Sequence, residues 1–82
     1  MFIVYILASK KYSERLYIGF TENLENRLKE HNDYKSKYSS KYGPWELQTF
    51  ITFRDKRTAK SFEEYLKHGS GFAFLKKRLI LF

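Results

Sequence analysis

The chain of 82 residues contains no cysteine, one proline and four glycines. Without cysteine there is no disulfide scaffold, no Cys-based zinc site and no thiol chemistry. A reducing, cytoplasmic-type compartment fits that absence. So few prolines and glycines leave few breakpoints, and no linker, low-complexity tract or internal repeat divides the chain. No apolar run approaches the ~20 residues that a bilayer-spanning helix needs. The apolar start, Phe2 to Ala8, is too short and poorly flanked for a signal peptide. Acidic residues are also scarce, with nine Asp and Glu against 16 Lys and Arg, for a formal net charge of +7. Such a surface rewards a polyanion, because neutralised phosphates release counterions. Nucleic acid is expected ahead of an anionic membrane.

Hydrophobic residues make up 43% of the chain and aromatics 20%, including seven Tyr and eight Phe. That is too apolar for a disordered tail. A single domain over residues 1–82 is expected.

Phe2 to Ala8 is β-branched and aromatic and reads as a buried strand, and Leu16 to Phe20 reads as a second. Their closeness in sequence predicts an antiparallel hairpin. Gly19 suggests a bulge or a close backbone approach. Thr21 stands where an N-cap belongs, and Leu24, Leu28 and His31 mark the inner face of a helix ending near Asn32. A polar, basic loop follows as far as Pro44. Trp45, Leu47, Thr49, Ile51 and Phe53 then alternate with Glu46, Gln48, Phe50 and Thr52, which predicts a third strand with one well-buried face. A second helix opens at Asp55 to Thr58, carries the stripe Ala59, Phe62 and Leu66, and stops at Gly69. Phe72, Leu75, Leu79 and Phe82 predict a third helix. The fold class is α+β, in the order ββαβαα, with a small antiparallel sheet and helices against it.

Some polar residues lie where an apolar stripe should be. Arg27 is one turn from both Leu24 and His31, at the border of the apolar face. Its stem could pack on the core edge while its head reaches water. On a wheel of roughly 100° per residue, Glu63 falls about 40° from Ala59 and Glu64 about 140°, so Glu63 borders the buried arc. A carboxylate there needs a partner. Arg27, a Lys and a metal ion are the candidates, and on pattern alone a structural ion pair is favoured over a metal. Tyr5 and Tyr17 both lie in the predicted hairpin, as core or site residues. Between Asp33 and Gly43, Lys35, Lys37 and Lys41 interleave with Tyr34, Tyr38 and Tyr42, which suits phosphate contact and base stacking. Arg54, Lys56, Arg57 and Lys60 form a second basic cluster, and Lys76 to Arg78 a third.

Taken in order, Ile3-Val4-Tyr5, Tyr17-Ile18-Gly19, the run to Arg27 and His31-Asn32, and Ala59-Lys60-Ser61-Phe62-Glu63 resemble the GIY-YIG nuclease superfamily, in its small stand-alone UvrC/URI-type branch. The resemblance implies a three-stranded antiparallel sheet flanked by helices, and metal-dependent hydrolysis of a phosphodiester, usually in DNA. It implies that Glu63 holds a divalent ion, Mg²⁺ or Mn²⁺, that Arg27 faces the scissile phosphate, that Tyr5 or Tyr17 activates the attacking water, and that His31 assists. Lys35, Lys37, Tyr38, Lys41, Arg54, Lys56 and Arg57 would then hold the strand. Two departures from the pattern stand out. Phe20 occupies a position where several members carry Lys, and no Asn follows Asn32. Two other readings remain open: a non-catalytic nucleic-acid-binding module on the same fold, and a small basic adaptor for a protein partner. The sequence does not separate DNA from RNA.

Overall fold

A computed structural model of the chain describes residues 1–12, 14–33 and 41–80. Three strands, β1 (Phe2–Ser9), β2 (Leu16–Thr21) and β3 (Trp45–Phe53), form one antiparallel sheet in the order β2-β1-β3. The continuous apolar run puts β1 in the centre, covered on both faces, and Val4, Tyr5, Ile6 and Leu7 are all buried. The helices are α1 (Leu24–Asn32), α2 (Lys56–Lys67) and α3 (Gly69–Phe74), followed by a π-helical turn at Leu75–Leu79. The expected α+β class and antiparallel three-stranded sheet are present. Among the described residues no helix is long and apolar enough to cross a membrane.

Two cores form, one on each face. Val4 and Ile6 pack with Ala59, Leu66, Leu75 and Ile80 beneath α2 and α3. Tyr5, Leu7 and Trp45 pack with Tyr17, Leu24 and Leu28 beneath α1. The third strand departs from its expected single buried face. Ile6 pairs with Thr49 but Leu7 pairs with Leu47, which leaves Gln48 as the extra residue of a bulge. The expected alternation of burial runs unbroken from Trp45 to Phe53, but the bulge changes which face the covered residues point to. Trp45 and Leu47 therefore join the α1 core, while Phe53 joins the α2 core.

The helix ends also refine the expectation. Asn23, not Thr21, caps α1, because its side chain accepts from the Asn26 N–H at 3.0 Å. Thr21 Oγ1 instead accepts from the Asn23 N–H at 3.0 Å and shapes the turn before the cap. α2 opens within the expected Asp55 to Thr58, and Asp55 caps it, accepting from the Thr58 N–H at 2.9 Å and the Thr58 hydroxyl at 2.8 Å. These bonds hold its carboxyl below its ordinary range. α2 stops just before the expected Gly69, at an extended His68, and Gly69 itself opens α3 with φ +47°, a left-handed conformation that favours glycine. The expected third helix is two pieces. The Ile80 N–H reaches the Leu75 carbonyl at 3.2 Å, five residues back, and the chain is extended at Ile80. Phe82 lies outside the described residues.

Candidate active site

Gly19 is the cross-strand partner of Tyr5. A Cβ at residue 19 would collide with the Tyr5 ring near its hydroxyl, so the glycine leaves the space in which that ring lies across β2. The close approach anticipated at Gly19 is thus a side chain passing over backbone. Tyr5 is fully buried. Tyr17 stacks with it at 6.1 Å between ring centroids, and the His31 ring meets Tyr17 edge-on at 4.4 Å.

His31 reaches this centre because it ends the apolar face of α1. Its neighbour Asn32 anchors that helix end to β3, accepting from the Trp45 N–H at 2.7 Å and donating to the Trp45 carbonyl at 3.2 Å. Tyr5 Oη lies 3.1 Å from His31 Nε2. Burial, aided by the charge of Arg27 and opposed by Glu30, holds the imidazole below its usual 6.5, so it is neutral at pH 7. Burial, then Tyr17 and the Glu63 carboxylate, push the Tyr5 phenol well above its ordinary value, while Arg27 opposes them. The phenol therefore keeps its proton and hydrogen-bonds with Nε2.

Arg27 is half-exposed and ion-paired to Glu30 at 3.1 Å. It lies close enough to influence both Tyr5 and His31. Glu63 comes from α2, with only 12% of its side chain exposed. Lys67 Nζ lies 3.2 Å from one carboxylate oxygen and Lys60 Nζ 3.9 Å from the other. Of the partners expected for Glu63, the described structure gives it two lysines. Lys60 also sits 4.7 Å above the Phe20 ring, so a cation stands over that aromatic position. Among the described residues no group of three His, Cys, Asp or Glu converges.

The structure thus brings the Tyr5, Tyr17 and His31 rings together, with Arg27 on the same helix as His31, and with the charges of Arg27 and of Glu63 on α2 both acting on Tyr5. The basic residues are more scattered. Arg54, Lys56 and Arg57 are exposed beyond Phe53, which pairs with Phe2 at the start of β1. Lys41 is exposed near Trp45, which pairs with Ser9 at the other end of β1. Lys35, Lys37 and Tyr38 lie outside the described residues. Sequence reasoning missed Asn32, Trp45 and Lys67. The Glu63–Lys67 spacing of four was a legible signal for the last, while nothing local marked Trp45 as a wall of the site.

A buried tyrosine stacked on a half-buried one, an imidazole and a guanidinium on an α+β frame, with an acid on the following helix, fit a domain of nuclease type. Residues 1–77 match the GIY-YIG catalytic domain, and the chain belongs to that family. Within the family it is of the UPF0213 type. It is 48% identical over 65 residues to a UPF0213 protein of Clostridium perfringens, covering 78% of this chain and 68% of that protein. It is 42% identical over 64 residues to one of Bacillus licheniformis, covering 77% and 64%. It is also 36% identical over 73 residues to a structure-specific endonuclease subunit SLX1 of Debaryomyces hansenii, covering 79% of this chain but 21% of that protein. The chain thus spans about two thirds of the UPF0213 proteins and about a fifth of the endonuclease subunit.

Proposed function

We propose that this protein is an endonuclease that hydrolyses phosphodiester bonds in DNA with Mg²⁺ or Mn²⁺. The observation that carries the reading is the Tyr5 hydroxyl, buried and hydrogen-bonded to a neutral His31, with the charges of Arg27 and Glu63 both reaching it. Tyr5 alone is a poor base, because its proton is held above the ordinary phenol range. Its contact with His31 offers a route. As Tyr5 takes a proton from the attacking water, its own passes to Nε2, so no free tyrosinate need accumulate. Arg27 supplies positive charge and N–H donors to the phosphate as negative charge develops on its oxygens. Tyr17 packs against both rings and holds them in register.

A single buried carboxylate suits Mg²⁺, which takes one or two carboxylates and keeps several waters. Glu63 would hold the ion, displacing its lysine contacts. When bound, such an ion supplies Lewis-acid stabilisation of the phosphoryl oxygens. The name of the SLX1 relatives, a subunit of a structure-specific endonuclease, supports endonuclease activity and a protein partner.

The deciding experiment is plasmid nicking with Mg²⁺ or Mn²⁺. Wild type cuts, and Glu63→Ala and Arg27→Ala each lose on the order of a hundredfold or more. Equal cutting by wild type and both variants overturns the reading. The two lysines on Glu63 favour a second reading, a non-catalytic nucleic-acid-binding module. That reading predicts salt-sensitive binding with no Glu63-dependent cutting under either metal.

A further inference from the structure

The β1–β2 hairpin end carries a cluster of cations and rings that the site does not use. Lys11 Nζ lies 5.6 Å from the centroid of the Tyr12 ring. The Arg15 guanidinium sits 4.7 Å over Tyr42 and Lys41 Nζ 5.4 Å over the same ring. Tyr12 and Tyr42 meet edge-to-face at 5.7 Å. Lys11, Arg15 and Lys41 are exposed, and Tyr12 is 46% exposed.

These groups are fixed rather than loose. The Tyr12 N–H donates to Ser9 Oγ at 2.9 Å, and the Ser9 hydroxyl donates to the Tyr42 carbonyl. The Lys10 N–H donates to the Pro44 carbonyl at 2.9 Å. One serine thus ties the hairpin turn to the segment entering β3. The cluster also adjoins the site. Arg15 precedes Tyr17 by two residues, and Tyr42 packs against the Tyr5, Leu7 and Trp45 core.

We propose that this hairpin end is a docking surface for a single-stranded segment of nucleic acid leading into the Tyr5–Tyr17 site. This rests on the nuclease reading for its purpose, though not for its measurement. Backbone phosphates meet Lys11, Arg15 and Lys41, and an unstacked base lies on the open face of Tyr12. Cations interleaved with an exposed ring suit a strand whose bases are free to stack on protein. In a blunt duplex the base faces are already covered, so Tyr12 gains nothing there.

The test is fluorescence anisotropy with a labelled single-stranded oligonucleotide of about 20 nucleotides, and its blunt duplex, in EDTA so that cutting does not intervene. Wild type binds the single strand more tightly. The double variant Lys11→Gln/Arg15→Gln weakens binding roughly tenfold or more and lowers the salt slope by about 1.4, or 0.7 per lost contact. A charge-matched control, Lys76→Gln/Lys77→Gln on the π-helical turn, changes both much less. Tyr12→Ala loses roughly tenfold on the single strand, and Tyr12→Phe keeps the affinity. Equal losses from the hairpin and control pairs, an unaffected Tyr12→Ala, or no preference for the single strand each overturn the proposal. Wild type that binds in this way but never cuts removes the nuclease reading and leaves the surface standing. Cutting that persists while the hairpin variants bind undiminished removes the surface and leaves the nuclease.

Discussion

His31 performs two tasks because of where α1 ends. Its ring meets Tyr17 edge-on, and its Nε2 hydrogen-bonds with the Tyr5 hydroxyl. Burial and Arg27 lower its pKa and favour the neutral imidazole, the form able to take the Tyr5 proton. In the unfolded chain the same group titrates near 6.5. Between the lowered native value and 6.5 the unfolded state binds more protons, so stability rises with pH across that window. The contribution is fully present above about pH 6.5 and is lost as pH falls through the native value. Cleavage should follow the same direction, since a protonated His31 cannot take the Tyr5 proton. We expect an NMR titration to place His31 below 6.5, and His31→Gln to flatten the acid limb of the stability curve. A native value at or above 6.5 contradicts this.

The pairing of β1 with β2 is itself part of the site. Tyr5 can lie across β2 only because its partner there is Gly19. In Gly19→Ala the added methyl enters space that the Tyr5 ring occupies, and the ring must swing or the strands must part. Overpacking of this kind costs about 1–3 kcal/mol, and the displaced hydroxyl leaves His31. The expected result is a lower urea midpoint together with loss of nicking. A Gly19→Ala protein as stable and active as wild type would show that the ring does not need that space. The bulge at Gln48 works on the same scale. It turns Trp45 and Leu47 toward α1, which gives the site a wall, and Asn32 then fastens the helix to that wall.

At the scale of the whole molecule, positive charge among the described residues is spread rather than concentrated. The cations beyond Phe53 and those at the hairpin end lie at opposite ends of β1, with the tyrosines between them. Under the nuclease reading, a strand crossing the site would then be held on both sides of it. With about four phosphate contacts on a single strand, affinity should fall roughly fiftyfold between 50 and 200 mM salt. Anisotropy titrations over that range measure the slope. A slope near zero contradicts a binding mode dominated by phosphates and favours a protein partner for the basic surface.

The strands, the helices and the residue types at the site were legible in the sequence, because each leaves a local pattern. The run Phe2 to Ala8 marked a covered central strand, and Glu63 stood out as an acid beside an apolar stripe. Asn23 displaced Thr21 as the cap because both are good caps and only the turn geometry chooses between them. Tertiary structure alone decided that β3 changes face at Gln48 and that Ser9 joins the hairpin turn to Tyr42. The reason is physical: periodicity reports burial a few residues at a time, whereas register and the distance between elements depend on contacts made across the whole chain.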